Sequence, residues 1–381
     1  MGRKRINYSA KLTKYLVGVK AFKEKPFIVV DVGARGGFAP HWSIFVDQIN
    51  CIGFEPDTKE CERLNSQPPD FKSIYYPYAL HKNKGIYPFY NTKFPNSSGL
   101  YPLDMSVVKR FLPHWELLSV EKITELNTID YDSFACEKNI EYVDFIKLDT
   151  EGSELDVLEG AVKNIKKSVI GISCEALFSP WHKGQKVFAD LDLFLRSLGF
   201  ELYDIDMYKY ARKSFSDYKT AVKPTSVTAK YGQVIFGDVL YLRDAVKEIE
   251  NGVLLEEGWD ENKILKLASI YEMFCLPDCA IELLQFSKKR GIISHTNEEV
   301  DYFCDLIISG FIGGTYGGYL ERYKRIGKRG YVNNYQRIEP FLLRVSYYFR
   351  KLFLEKHEFS WYIEKISKLL QNHQKLLNKG S

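Results

Sequence analysis

Short apolar runs alternate with amphipathic stretches from Phe27 to about Asp206. The runs at 27–32, 51–55, 73–78, 143–148, 168–174 and 200–205 have the length and the β-branched and aromatic content of buried strands. Residues 38–49, 57–66, 153–166 and 186–198 carry the helical segments that fill the intervals. This alternation predicts an α/β fold built on a doubly wound parallel sheet. The pattern breaks between residues 84 and 130. Gly85–Tyr90 reads as a short strand, and Asn91–Asp104, rich in Asn, Ser, Gly and Pro, reads as a loop. Loops inserted at the carboxyl edge of such a sheet commonly carry substrate recognition. Tyr231–Leu242 predicts a last strand, antiparallel and at the sheet edge, and the polar stretch 207–230 a lid or surface loop.

After Arg243 the periodicity is helical only, with segments at 246–255, 263–274, 278–289 and 298–308. Leu265, Ala268, Tyr271, Ala280, Leu283 and Leu284 suit the inner side of a helical hairpin, but one pair does not make a repeat array. Gly310, Gly313, Gly314, Gly317 and Gly318 mark a hinge between helices. The expected organisation is a basic extension (1–25), a sheet domain (26–242) and an all-helical domain with a basic aromatic tail (243–381).

Composition adds limits. At 381 residues and 45% hydrophobic content the chain can bury two cores. It has no run of 18 apolar residues to span a membrane, and its N-terminal segment lacks the apolar core of a signal peptide. Seven scattered cysteines without C-x-x-C pairs suggest reduced thiols and a cytoplasmic setting. Residues 321–381 hold 14 Lys and Arg against 5 Asp and Glu, a net of +9 in a chain of net +4. Three readings of that tail stay open: a basic helix packed on the enzyme or on a second copy in a homo-oligomer, peripheral binding of 331–381 to the inner face of a membrane, or nucleic-acid binding. The last is the least favoured, and no nucleic-acid partner is expected.

Three segments carry candidate chemistry. Phe27-Ile-Val-Val-Asp-Val-Gly-Ala-Arg-Gly-Gly37 is a strand ending in an acid and a glycine-rich turn, without the G-x-G-x-x-G spacing of a dinucleotide site. Cys51-Ile-Gly-Phe-Glu-Pro-Asp57 is a second strand, and it places Glu55 24 residues after Asp31, suited to accept both hydroxyls of a ribose. Asp144-Phe-Ile-Lys-Leu-Asp-Thr-Glu-Gly-Ser-Glu154 is a strand followed by an acidic turn. Ser153 is the predicted N-cap of the helix behind it. Asp149 and Glu151 then lie beyond a strand's carboxyl end, where open α/β sheets bind ligands.

Together these segments resemble the FkbM family of S-adenosylmethionine-dependent methyltransferases, over roughly residues 26–206. The likeness rests on Asp31-Val-Gly-Ala-Arg-Gly-Gly37, Phe54-Glu-Pro-Asp57, Lys147-Leu-Asp-Thr-Glu-Gly-Ser-Glu154 and Leu158-Glu-Gly-Ala161. Asn96-Ser-Ser-Gly-Leu100, Asn127-Thr-Ile-Asp130 and Leu198-Gly-Phe-Glu-Leu-Tyr-Asp204 are similar to further family blocks. Two positions depart from the family: Cys174 precedes Glu175 where an aliphatic residue is usual, and His182 stands in place of an aromatic such as Tyr.

The resemblance implies a Rossmann-like class I methyltransferase sheet and O-methylation of a sugar, glycan or glycosylated natural product, as in polysaccharide biosynthesis. S-adenosylmethionine is the implied donor and S-adenosylhomocysteine the product. On that map the amides of Gly33, Ala34, Arg35, Gly36 and Gly37 hold the methionine carboxylate, and Asp31 anchors the loop or the amino group. Glu55 takes the ribose, Pro56 and Asp57 lie near the adenine, and Ala79 and Leu80 pack on its edge. Asp149 faces the reacting centre. Glu151, Glu175 and His182 are the candidates for the base that removes the acceptor's proton. A divalent metal between Asp149 and Glu175 is an open route, but no spacing demands one and no metal site is expected. The rival readings are a nicotinamide-dependent sugar oxidoreductase or epimerase, and a non-catalytic relative acting as an interaction module.

Overall fold

The computed structural model describes residues 6–111, 115–215, 232–252 and 255–328. The chain divides into two compact units, 1–313 and 314–381. The first contains strands β1 (Phe27–Val32), β2 (Ile49–Phe54), β3 (Lys72–Tyr76), β4 (Ala79–Leu80), β5 (Gly85–Thr92), β6 (Val120–Ile129), β7 (Phe145–Leu148), β8 (Gly171–Leu177), β9 (Phe200–Tyr210) and β10 (Gln233–Arg243). Seven of them form one mixed sheet in the order β3-β2-β1-β7-β8-β10-β9. β3, β2, β1, β7 and β8 run parallel, whereas β10 is antiparallel to both of its neighbours. This is the strand order expected of a Rossmann-like class I methyltransferase sheet, and among the described residues only helices follow it.

The last strand is antiparallel, as expected, but it does not form the sheet edge. It inserts between β8 and β9 because Val239–Leu242 are fully buried, whereas β9 carries half-buried Glu201, Asp204 and Asp206. Tyr231, the start of the expected strand, and most of the expected lid at 207–230 lie outside the described residues.

Alternation along the central strands sorts the two faces of the sheet. Val30, Val32, Ile146 and Leu148 enter one core with Phe134, Leu158 and Ile172. Phe27 and Phe145, which alternate to the other face, meet Phe45, Trp42 and Phe274. Those contacts explain why 38–49 is not the expected α-helix. Only Pro40–Phe45 coils, as a 3₁₀ turn, and it buries Trp42 and Phe45. The expected helix 153–166 is two short helices, Glu154–Glu159 and Val162–Lys167. The break falls at Gly160–Ala161, where a Cβ on Gly160 would stand 2.6 Å from the His81 carbonyl oxygen.

The helix Glu261–Met273 is buried from Lys263 onward, on every side. Lys266 Nζ donates to Asp144 Oδ2 at 2.7 Å and to the Pro26 carbonyl at 2.8 Å, and Asp144 Oδ2 also accepts the Ile28 amide. Glu272 accepts the amides of Leu12 and Thr13, tying the N-terminal helix Lys11–Gly18 to the same point. The helices Ala245–Asn251, Pro277–Lys289 and Asn297–Phe311 complete the first unit. The boundary between units falls at Gly313 and Gly314, both at positive φ.

In the second unit the helix Tyr316–Lys328 stacks Tyr316, Tyr319 and Tyr323 along its length. The basic tail 331–381, with its membrane and oligomer readings, lies outside the described residues. All seven cysteines are free thiols. Among the described residues no helix is long and apolar enough to cross a membrane.

Candidate active site

β1, β2, β7 and β8 end together along one edge of the sheet. Connections leave β1 toward β2 on one side and reach β7 on the other, so the strand order reverses between β1 and β7. A cleft of about 990 Å³ opens there. Ligands of open α/β sheets bind at such a reversal.

The glycine turn after β1 forms one wall. Gly33 has φ +76°, and a Cβ there would stand 1.9 Å from the Asp149 carbonyl oxygen. The glycine is therefore required by the approach of β1 to β7. The amides of Gly33 and Ala34 both donate to the Phe54 carbonyl, that of Gly37 to Ala34, and that of Gly36 to Glu60 Oε1 at 3.0 Å. Four of the five amides expected to hold a carboxylate are thus bonded within the protein. The turn shapes the wall, and within it Gly33 and Arg35 line the cleft.

Beneath the turn, Lys147 joins the acids. Its Nζ lies 2.9 Å from Asp31 Oδ1 and 3.7 Å from Asp149 Oδ2, and it donates to the Gly33 carbonyl at 3.3 Å. Burial lifts the Asp31 carboxyl to about 6 despite Lys147. Burial works against the Lys147 charge, but Asp31 and Asp149 outweigh it and hold its pKa up. Asp31 does not line the cleft, so it acts as an anchor for the turn.

At the end of β2, Glu55 is buried and its Oε1 accepts the Asp57 amide at 2.9 Å. Burial raises its pKa. Arg35 reaches across to Asp57 at 2.7 Å and to Glu55 at 3.6 Å. Asp57 also caps the helix Thr58–Ser66 by accepting the Lys59 and Glu60 amides. Pro56, Tyr78, Ala79 and Leu80 complete this end with largely apolar surface.

The acidic turn after β7 forms the centre. Ser153 makes no capping bond. Glu154 folds back instead, and its Oε1 accepts the Thr150 amide, the Thr150 hydroxyl and the Gly152 amide. This brace holds Glu151 at φ +54° and Gly152 at φ +108°. Asp149 and Glu151 line the cleft with Glu175 from β8. Burial, then the neighbouring carboxylates, pushes Glu151 and Glu175 well above the usual carboxylate range. His182 lies on the same wall, 2% exposed, and burial depresses it to about 4.

The far half of the cleft comes from the region where the strand pattern breaks. β4, β6 and β5 form a separate three-stranded sheet. Phe89, Asn91, Thr124 and Leu126 line the cleft from it, with Phe94 and the segment Pro95–Gly99 alongside. This segment touches the acidic turn: a Cβ on Gly99 would stand 3.0 Å from the Glu151 carbonyl oxygen, and Tyr101 donates to Asp156 at 2.6 Å.

Residues 31–202 match the family model described as the methyltransferase FkbM domain. The chain carries an FkbM methyltransferase domain. Methyltransferases of this family are S-adenosylmethionine-dependent. No significantly similar curated protein matches the chain. Among solved structures, the FkbM domain resembles methyltransferase FkbM from Methylobacillus flagellatus KT, at 14% identity and TM-score 0.32 over 57% of this chain and 43% of that one. The chain thus spans less than half the length of that structure. A SAM-dependent methyltransferase from Aquifex aeolicus matches at 13% identity and TM-score 0.27, over 62% and 91% of the two chains. The 1,6-didemethyltoxoflavin-N1-methyltransferase of Burkholderia thailandensis, solved with S-adenosylhomocysteine, matches at 10% identity and TM-score 0.25, over 61% and 79%. Overlays this loose say nothing about the substrate of the FkbM domain.

The residues of the cleft suit the donor's nucleoside and sulfonium. Glu55 offers a buried carboxylate for a diol, and Tyr78, Ala79 and Leu80 a flat apolar wall. Asp149, Glu151 and Glu175 line the cleft beyond the glycine turn. Of the expected site residues, Gly33, Arg35, Glu55, Pro56, Asp57, Ala79, Leu80, Asp149, Glu151, Glu175 and His182 share this one cleft, whereas Asp31, Ala34, Gly36 and Gly37 stand behind it. Sequence reasoning missed Lys147, Glu154 and Gln185. A charge inside the apolar run Phe145–Leu148 was a usable signal for Lys147, whereas nothing in the local pattern marked Gln185. Among the described residues no group of three or more His, Cys, Asp or Glu is arranged to hold a metal.

Proposed function

We propose that this protein transfers a methyl group from S-adenosylmethionine to a hydroxyl of a sugar, glycan or glycosylated natural product. One observation supports this most. The cleft joins a donor end, built by β1 and β2, to an acceptor end of aromatic and amide side chains, and its carboxylates lie at the join. Phe89, Phe94, Tyr210 and Phe236 offer ring faces for a sugar, and Asn91, Asn96, Ser97 and Ser98 offer hydrogen bonds to hydroxyls.

S-adenosylmethionine, when bound, supplies the activated methyl group and its leaving group. The chain's residues then have three tasks. Glu55 binds the ribose. The acidic turn, braced by Glu154, sets the approach of the acceptor, and orientation of this kind is worth roughly 7–11 kcal/mol. A base among Glu151, Glu175 and His182 takes the acceptor's proton. The nicotinamide alternative finds no support in the matched family.

The test is transfer of an isotope-labelled methyl group to a panel of glycosides, nucleotide-sugars and glycolipids, with products located by mass spectrometry. The reading predicts a methyl ether on one sugar hydroxyl. Methylation at nitrogen, or none across the panel by a protein that binds S-adenosylhomocysteine, removes the acceptor class.

A further inference from the structure

We infer that His182 is the general base of this site and that Gln185 is the residue that holds it in the one tautomer able to act. The inference rests on the hydroxyl acceptor proposed above and adds the identity and protonation pattern of the base. It begins at the Gln185 side chain. Gln185 Oε1 accepts the backbone amides of Trp181 at 3.3 Å and of His182 at 3.1 Å. Both partners are N–H donors, so the atom they meet must be the amide oxygen. Turning the amide over would set its NH₂ against two donors. The same oxygen lies 3.1 Å from His182 Nδ1. An oxygen has no proton to give, so Nδ1 carries the proton and donates. The neutral ring then keeps its lone pair on Nε2.

His182 Nε2 is the buried end of that ring. The residue is 2% exposed and lines the cleft. Nε2 has no hydrogen-bond partner among the described residues. A buried nitrogen lone pair without a partner costs free energy. An acceptor hydroxyl that reached Nε2 from the cleft would supply the donor it lacks. Burial keeps the ring unprotonated across the neutral range, so its lone pair is free, and the same burial makes it a weak base that works only on a proton already leaving the acceptor oxygen.

The surroundings keep the ring in place. Leu103 and His182 form an antiparallel bridge. Asp104 and Lys183 donate their amides to the Trp181 and Pro102 carbonyls at 2.9 and 2.8 Å. Gly152, in the acidic turn, approaches so closely that a Cβ there would stand 3.0 Å from Nδ1. The base, the acidic turn and the acceptor segment are therefore one packed assembly.

In the transfer, Nε2 takes the hydroxyl proton as the acceptor oxygen bonds to the methyl carbon. The carbon–sulfur bond breaks, and its electron pair stays on sulfur. The imidazolium so formed passes its proton to solvent as the product leaves. The cationic sulfur becomes neutral while the ring becomes cationic, so total charge is conserved. Gln185 acts through the ring and does not touch the acceptor.

Two measurements on the full chain test this. Nitrogen-15 spectra of the imidazole side chains, with His182 assigned by its loss in His182→Gln, should show the Nδ1–H tautomer in the wild type. Gln185→Leu should disturb that pattern, and Gln185→Glu, which keeps an oxygen acceptor, should restore it. In turnover with a methylated glycoside as product, His182→Gln should lower kcat by about 10²-fold or more at unchanged S-adenosylhomocysteine affinity. Gln185→Leu should lower kcat by about tenfold without raising acceptor KM, and Gln185→Glu should recover most of the loss. An Nε2–H tautomer in the wild type overturns the proposal, as does wild-type kcat in His182→Gln. The spectra report on His182 whatever the acceptor, so a protein inactive on glycosides but showing the Nδ1–H tautomer counts against the acceptor class alone.

Discussion

Asp31 is a carboxyl that the sheet keeps from water, and its titration can be followed through stability. Its folded value of about 6 lies above the unfolded 3.8, so the folded state binds the proton more tightly. The corresponding stabilisation is complete below the unfolded value and is lost as pH rises through the folded one. Asp31→Asn is neutral at every pH. The advantage of wild type over Asp31→Asn in chemical denaturation should therefore shrink by on the order of 3 kcal/mol between about pH 4 and pH 7. A difference that stays constant with pH would mean that Lys147 fully offsets the burial of Asp31. Gly33 and Glu55, both at the donor end, should separate by the quantity they change. Gly33→Ala drives a Cβ into the Asp149 carbonyl, so both melting temperature and S-adenosylhomocysteine affinity should fall. Glu55→Ala removes the carboxylate expected to meet the ribose and, with it, the acceptor of the Asp57 amide. It should weaken S-adenosylhomocysteine by about 1.5–3 kcal/mol, roughly 10- to 150-fold, with a smaller fall in melting temperature than Gly33→Ala. Calorimetry that ranks the two alike would displace Glu55 from the ribose.

At the scale of elements, the acidic turn depends on Glu154 more than on any cap. Glu154→Leu leaves the Thr150 and Gly152 amides without their acceptor, at a cost of about 1–3 kcal/mol for each that stays buried. Turnover should fall with stability, because Asp149 and Glu151 ride on that turn, whereas Glu154→Gln, which keeps an acceptor oxygen, should fall much less. Equal losses in the two variants would show that the charge rather than the brace matters. This turn was legible in the sequence, but the expected N-cap, Ser153, makes no capping bond, because capping preferences describe a helix end in isolation and Glu154 reaches back across the turn. The central strands β1, β2, β7 and β8 were legible for a physical reason: buried on both faces, they read as apolar runs. β6 was not, because most of Val120–Ile129 is exposed and Glu121, Lys122, Glu125 and Asn127 interrupt its apolar residues. The expected helix at 38–49 failed where Trp42 and Phe45 turn inward to meet Phe27 and Phe145, a tertiary demand with no local signal. The candidate site was legible where chemistry and strand ends coincide, at Glu55, Asp149, Glu151 and Glu175. It was not legible at Gln185, whose role exists only through the folding of 181–185 against 102–104.

The whole first unit should behave as one cooperative body, although its sequence changes texture at Arg243. Texture records which secondary structure the residues favour, whereas cooperativity follows the buried contacts, and these cross residue 243 in several places. Lys266 and Asp144 are both fully buried and pair at 2.7 Å, joining the helix Glu261–Met273 to the segment that begins β7. Arg243, at the end of β10, pairs with Glu248 at 2.8 Å and also donates to the Val169 carbonyl. Glu272 holds the N-terminal helix. Lys266→Ala strands the Asp144 carboxylate and should destabilise the unit by about 3–5 kcal/mol. That loss should appear in a single unfolding transition reported equally by a probe in the sheet and a probe in the helices. A chain ending at Gly313 keeps every one of these contacts, so it should fold and bind S-adenosylhomocysteine as the full chain does. A chain ending at Arg243 exposes the face that Phe274 and Tyr271 cover and leaves Asp144 without its cation. It should be insoluble or unfolded, with no measurable cofactor binding. Soluble, cooperatively folding protein from the shorter chain would show that the sheet is stable alone and that the helices after Arg243 are an accessory to the methyltransferase domain.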